Sequence, residues 1–583
     1  MPGSEVLEKP GAWRWLVIGL GLALLWAPAA GVGLAVSPFT GAANDGWWSG
    51  AYGPALGRSL RVALGVAGVA ALVGLPAGLL AGLYDFPLRR SLLLTLALPL
   101  LLPSFLGAIG LSRLRIALHL PPDSALSGYV GVVWAFATFV VPLVLFITVA
   151  AARNISRGQQ DAARLAGGER HVLWHSARQV GPVAVLTALL GSALTLSDPG
   201  PGQILGHRGA ASEILVTFAA QYDFALAARQ CLALAGVVLA VSLPVILLLA
   251  PRLATGLLAR DLAPAPLHDL RRRAHAPSRV PRRRDAPPNP QGRSIRRRAG
   301  RLEKTAEPGN GNLAASSKQP RNSDADTEGR VLSLIAPWLA SGALGLLVTA
   351  LLALPMLGFF SSLGDAPPWG EAWQRVGQTF GNTLVYGLGA GVIAAGLGGV
   401  LALAAGRFAG PRIFLLAGLL VALALPPALS ALGFIQLATV APPAWDPLLR
   451  GRGIVSLSLG LRLTPIAALF VLRSLGAMSP SWARAAALHG VSLPLYLARV
   501  LLPWIRGALL AAALLIALLA VADVGTTLLL HPPGSASLPL TIFTVMANAP
   551  ESLVSLLCLF YLGGAALLLG GGVALAERLV RAP

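Results

Sequence analysis

Apolar runs of about 20 residues recur along this chain, the length one helix needs to cross the roughly 30 Å hydrocarbon core of a bilayer. Such runs lie near 14–36, 59–84, 91–112, 128–151, 180–197 and 228–251, and again near 331–360, 382–405, 413–437, 453–472, 504–523 and 553–577. They are continuous rather than alternating, which argues against a barrel of membrane strands about 10 residues long. The expected fold is an all-α polytopic membrane protein with twelve spans. Only 12% of the 583 residues are charged, so an ordinary soluble enzyme does not fit, and 55% hydrophobic content is too high for disorder over most of the length.

Lys9 and Arg14 before the first apolar core, with Ala27-Pro28-Ala29 behind it, imitate a secretory signal. The run continues to Val36, longer than a signal core needs, and so reads as a retained span.

The net charge of +21 comes from 45 Lys and Arg against 24 Asp and Glu. Much of the excess falls between Arg252 and Arg330, including three consecutive arginines at Arg271, Arg282 and Arg296 onward. Lys and Arg accumulate in cytoplasmic loops, so the charge marks topology rather than a nucleic-acid partner. It places the N-terminus, the central linker and the C-terminus in the cytoplasm of a multi-pass inner-membrane protein, with loops 85–90, 152–179, 406–412 and 473–503 on the same side. Residues 252–330 are rich in Pro, Arg, Asn, Ser and Gly and read as a disordered tether between two domains, 1–251 and 331–583; contact with anionic headgroups is the sharper alternative. Trp47 and Trp48 are expected to anchor the outer interface.

The two domains match at a nearly constant offset. Ser59-Leu60 with Gly65 corresponds to Thr383-Leu384 with Gly389, and Pro103 to Pro427. Asp198, Gly200, Leu205, Gly209, Ser212 and Phe218 correspond to Asp523, Gly525, Leu530, Gly534, Ser537 and Phe543. This pattern implies a duplication, two pseudo-symmetric six-helix repeats. An even number of spans in each gives both the same orientation.

No phosphate-binding loop, nucleophile elbow or Cys-x-x-Cys occurs, and Cys231 and Cys558 both lie in apolar stretches. His171 and His175 lack the intervening Glu of a zinc-protease helix and read as surface residues. Neither a metal site nor a cofactor site is expected, and no catalytic residue.

Distinctive instead are two basic segments. The first runs Gln160-Asp161-Ala162-Ala163-Arg164-Leu165-Ala166-Gly167, then Trp174 and Pro182. The second runs Trp482-Ala483-Arg484-Ala485-Ala486-Ala487-Leu488-His489-Gly490, then Val500-Leu501-Leu502-Pro503. Ala favours helix and Gly allows a sharp turn, so each reads as a helix broken by Gly that resumes as a short helix before the next span. Small side chains let a partner surface approach closely.

At these residues the chain resembles the permease subunits of binding-protein-dependent ABC importers, whose signature is E-A-A, three residues, G, nine residues, I-x-L-P. The second copy matches from Ala485-Ala486 through Gly490 to Val500-x-Leu502-Pro503, with Arg484 in place of Glu. The first matches Asp161-Ala162-Ala163-x-x-x-Gly167, with Val180 where Pro is expected and Pro182 two residues late. The resemblance implies that both segments are coupling loops seated on two cytoplasmic ABC ATPase subunits. Those subunits would bind ATP and Mg, and a periplasmic protein would deliver the solute. Two fused copies resemble the ferric-iron class, with the thiamine class next; related permeases move sulfate, molybdate, polyamines and phosphonates. Asp523-Val524-Gly525-Thr526-Thr527 and the following Pro532-Pro533-Gly534 resemble the outer loop of the iron group.

Asp198 and Asp523, at the ends of spans five and eleven, suit either helix capping or a gate. Arg462 falls inside span ten, where an unpaired charge costs a few kcal/mol or more, so it should face the bundle interior or water. Pro103, Pro426 and Pro427 interrupt spans three and nine as pathway walls or packing kinks. The competing class is a proton-coupled twelve-helix carrier, to which Asp85, Arg89 and Arg90 and the stretch Gly406 to Arg412 bear a faint likeness.

Overall fold

The computed structural model describes residues 11–36, 50–258, 268–269 and 337–581. Trp47, Trp48 and tether residues 259–267 and 270–330 lie outside them. Within the described residues, regular structure is helical apart from a two-residue parallel pairing of Tyr84–Asp85 with His268–Asp269. Among the described residues ten helices are long and apolar enough to cross a membrane, and two bent pairs would make twelve. Every expected span falls on one of these elements, and the chain is an all-α polytopic membrane protein.

Proline decides where the helices deviate. Spans three and nine are not straight: Arg89–Leu101 meets Ser104–Ala117 at 101°, and Ala409–Ala424 meets Pro427–Val440 at 87°. A residue before proline is pushed out of helical geometry; Leu102 and Leu425, preceding Pro103 and Pro426, are accordingly extended with ψ of 138° and 141°. Elsewhere the chain absorbs proline without breaking. Three wide π-turns, Ala70–Gly74, Thr349–Ala353 and Leu497–Leu501, each end two residues before a proline: Pro76, Pro355 and Pro503. A wider turn moves aside the carbonyl that a proline ring would strike. At the second of them, Ala350 gives its carbonyl to the indole N–H of Trp134 at 3.0 Å.

The first helix, Ala12–Val36, packs on Pro427–Val440 and Trp369–Ala405, far along the chain. Its Ile18, Leu22 and Leu25 share a core with Leu401, Leu415 and Leu419. Conversely, Pro337–Ser361 packs on Ser104–Ala117, and its Leu344 and Leu351 join a core with Val66, Val140 and Leu111. Glycine makes both crossings possible, because without hydrophobic drive between lipid-exposed helices, close backbone approach carries the packing. A Cβ on Gly433 would lie 1.6 Å from the Pro28 carbonyl oxygen, and one on Gly358 would lie 2.0 Å from that of Gly110.

Buried arginines close helix ends. Arg89 donates from Nε to the Ala81 carbonyl at 2.8 Å, and Arg412, fully buried, donates to the carbonyls of Gly406 at 2.6 Å and Ala254 at 3.4 Å. The last carbonyls of a helix have no partner within it, and these side chains supply one.

Candidate functional site

Two groups of side chains stand out, separated by the length of a membrane helix. Residues 169–195 and Leu493–Ala522 run between them, and at 1.5 Å per residue these are about 40 and 45 Å long.

The first group gathers on the two aspartates. Asp198, three residues past its helix, accepts with one carboxylate oxygen from the N–H of Gly200, the first residue of the helix Gly200–Ile204, at 2.9 Å, and Asp523 N-caps the helix Val524–Leu530 by accepting from the Thr526 N–H at 2.9 Å. Capping is therefore one role of both. The second oxygen reaches further in each case. In Asp198 it accepts from the hydroxyl of Ser104, the first residue after the break at Pro103; in Asp523 it is ion-paired with Arg462. The Arg462 and Asp523 side chains are 15% and 17% exposed, so the pair is largely withdrawn from solvent. Arg462, expected to face the interior, thus has a carboxylate partner, while its Nε is buried with no acceptor. Asp198 lies close enough to feel the charges of both Asp523 and Arg462.

The proline breaks pack against the same segments. A Cβ on Gly200 would meet Phe105 at 2.9 Å, and one on Gly525 would meet Pro427 at 3.9 Å. Phe105 shares a core with Val524 and packs edge-on against Phe543 with ring centres 5.5 Å apart, which brings the segment of Pro103 and Asp198 beside that of Pro427, Asp523 and Arg462. Beside Pro103 the cavity measures about 20 Å³, room for about one water. The helices that follow are fixed alike: Ser59 accepts from the Ala210 N–H at 2.9 Å and Thr383 from the Leu538 N–H at 3.0 Å. Ser104 is the residue sequence reasoning missed. Its signal was a hydroxyl directly after the breaking proline, but the partner lies 94 positions away.

The second group holds the two basic segments. The second forms the helix Pro480–Leu488, ended by Gly490 at φ 64°. There the N–H of Gly490 bonds the Ala487 carbonyl at 3.1 Å and that of Val491 bonds the Ala486 carbonyl at 3.0 Å, a Schellman ending. Arg484 and Ala485 are exposed, as is Pro503. In the first segment helical structure runs from Arg157 to Thr195, kinked at Gly167 and Gly168. The left-handed residue is Gly168 at φ 69°, one position past the expected one; Gly167 is extended at φ −173°. In the first segment helix resumes after Gly168 and runs without interruption into the span as far as Thr195, whereas in the second a single helical turn, Leu493–Tyr496, precedes the π-turn Leu497–Leu501 and the span helix Leu502–Ala522.

The two segments are braced differently. Arg164 bridges the kink, bonding Asp161 at 3.1 Å and Glu169 at 3.0 Å, while Tyr84 donates to Glu169 at 2.6 Å. In the second, Trp482 packs edge-on against Trp504 with ring centres 5.1 Å apart, and Trp504 donates to the Ser474 carbonyl at 2.9 Å. Ala162 is exposed on the first helix, while Ala163 is half-buried against the core that holds Val172 and Val180.

Among the described residues no group of three or more His, Cys, Asp or Glu is placed to hold a metal ion. Comparison with family models, with curated proteins and with solved structures finds no match for the chain.

Proposed function

We propose that this chain is the permease of an ATP-driven, binding-protein-dependent importer of the inner membrane, built from two six-helix repeats. The observation that carries the reading is the pair of glycine-ended helices, Arg157 to Gly167 and Pro480–Leu488, each projecting small side chains and one bare leucine away from the membrane helices. A surface of that kind suits docking. Two copies suit a dimeric ATPase, which would bind ATP and Mg and perform all the chemistry; no residue of this chain acts as a catalyst. The matched capping of Ala210 by Ser59 and Leu538 by Thr383, and the matched bends at Pro103 and Pro427, favour a duplicated architecture.

Ferric iron delivered by a periplasmic protein is the substrate we favour, on the resemblance of residues 523–540 to the iron group; thiamine, sulfate, molybdate, polyamine and phosphonate are the alternatives. Purification in mild detergent from native membranes tests the importer. Two ATPase copies per chain are expected, and a chain that emerges alone overturns it. One observation favours the proton-coupled carrier instead: carriers place titratable groups inside the bundle, as Asp198, Arg462 and Asp523 are placed here. Uptake that follows a proton gradient without ATP would decide for that reading.

A further inference from the structure

At the end of the bundle opposite the two basic segments, hydrogen bonds and a ring contact tie three pieces of chain together. Arg58, in the helix Tyr52–Val69, donates from Nε to the Arg208 carbonyl at 2.8 Å. Tyr129, at the start of Gly128–Ala152, donates to the Arg61 carbonyl at 3.3 Å and meets the ring of His207 edge-on, with centres 5.9 Å apart. Arg61 turns back along its helix, donating to the Gly57 carbonyl at 3.4 Å, toward the end that holds Arg58. Three arginines are thus gathered in one patch, and His207 beside them keeps a buried Nε2 without a partner. Arg375 and Arg450, near the ends of other helices, each pair with a carboxylate one turn away. Among the described residues Arg58, Arg61 and Arg208 pair with none.

Their charges are not needed to hold the chain in place. Asn382 stands one residue before Thr383 as Arg58 stands one before Ser59, and it makes a comparable bond without a charge, from Nδ2 to the Ala536 carbonyl at 3.2 Å. Below the arginines the helix offers hydrocarbon. Leu64, Gly68 and Leu72 follow Arg61 at helical spacing on one exposed face. Leu64 and Leu72 are 69% and 78% exposed, and a Cβ on Gly68 would meet nothing within 4 Å. The span Tyr52–Leu83 has 32 residues, about 48 Å against a hydrocarbon core of roughly 30 Å. Its first turns therefore stand at headgroup level while Leu64 to Leu72 lie among acyl chains.

We propose that this patch binds an anionic phospholipid: Arg58, Arg61 and Arg208 hold the headgroup phosphate, and one acyl chain lies along Leu64 and Leu72 in the groove that Gly68 leaves open. Guanidinium forks match phosphate oxygens, and the phosphate supplies the counter-charge that no side chain gives. An acidic protein surface or a free phosphate would use the arginines but not the apolar stripe beneath them. The site is independent of the importer and carrier readings, since the membrane alone supplies the ligand.

The test titrates the full chain in mild detergent with phosphatidylglycerol or phosphatidylcholine of identical chains and counts retained lipid by native mass spectrometry. Phosphatidylglycerol is expected to be retained at an at least about tenfold lower concentration, each arginine near the surface adding several-fold toward an anionic lipid. Combining Arg58→Asn, Arg61→Gln and Arg208→Gln is expected to lose one retained phosphatidylglycerol and leave phosphatidylcholine unchanged. Arg61→Gln alone, whose side chain bonds only within its own helix, serves if the triple variant does not fold. Gly68→Trp, which fills the groove without touching a charge, is expected to lose the same lipid. Unchanged phosphatidylglycerol retention in the arginine variants overturns the site. Loss in those variants with full retention in Gly68→Trp rejects the acyl chain and with it the lipid; displacement by inorganic phosphate would then identify a free anion.

Discussion

Leu165 and Leu488 hold the same station in two different helices, each two residues before Gly167 and Gly490, and they are 90% and 87% exposed. Each is an apolar knob that none of the described residues covers. Burying a leucine against a partner contributes about 1.5–3 kcal/mol, so under the proposed importer reading Leu165→Ser and Leu488→Ser are each expected to weaken retention of an ATPase partner roughly tenfold or more. Thermal stability of the chain alone should not change, since neither side chain packs on it. Equal retention by both variants in a pull-down would count against docking at these helices.

Gly490 and Gly168 adopt φ of 64° and 69°, and a Cβ at either would meet nothing within 4 Å. The cost of a side chain there is conformational, about 1–2 kcal/mol for most residues and less for Asn. Gly490→Val is expected to reorient Pro480–Leu488 and uncouple ATP hydrolysis from uptake, whereas Gly490→Asn retains coupling. Measured ratios of ATP hydrolysed to solute taken up separate the two; equal ratios would remove the need for a left-handed residue.

Replacing Gly433 or Gly358 by Val is expected to prevent the close crossings with Pro28 and Gly110 and to lower thermal stability in detergent by several degrees or abolish folding, overpacking typically costing about 1–3 kcal/mol or more. Gly396 supplies the control. It lies in the same class of helix with open space around it, so Gly396→Ala should stabilise by up to about 1 kcal/mol through helix propensity. Comparable losses at all three sites would refute the packing argument.

His207 sits in a turn between helices, where burial first, and then the charges of Arg58 and Arg61, hold its pKa below the ordinary 6.5. The folded protein keeps the ring neutral while the unfolded chain takes up a proton. Stability is therefore full above pH 6.5 and falls as the pH drops from there toward the folded-state value. His207→Gln should flatten that part of the pH profile in melts between pH 5 and 7.5; an unchanged slope would assign the loss to other groups.

Hydropathy made the spans legible because one helix must hide its own backbone from lipid, and that demand is written locally. The breaks at Pro103 and Pro427 were legible for the same reason: proline acts on its immediate neighbours. Arg462 announced that it needed a partner, but that partner, Asp523, lies 61 residues away, and nothing local names it. Helix after the glycine was legible at 169–179, but its unbroken continuity with the span was not, since the polar residues there mark a segment outside the membrane without showing that its helix runs on into it. Least legible were the crossings of the first helices. A helix that is apolar on all sides carries no mark of which neighbour it will meet, and glycines such as Gly433 show their purpose only when the opposing carbonyl is in view.

That crossing also sets a schedule for assembly. Ala12–Val36 is made long before the segment it packs on, Pro427–Val440. At about 5–20 residues per second the ribosome needs on the order of tens of seconds to bridge that gap. Throughout that interval the helix has, among the described residues, only the core around Val32, shared with Tyr52 and Leu249, and its packing on Phe224–Leu258, and its coating of Leu16, Leu20 and Leu24 suits a segment that meets lipid along the rest of its length.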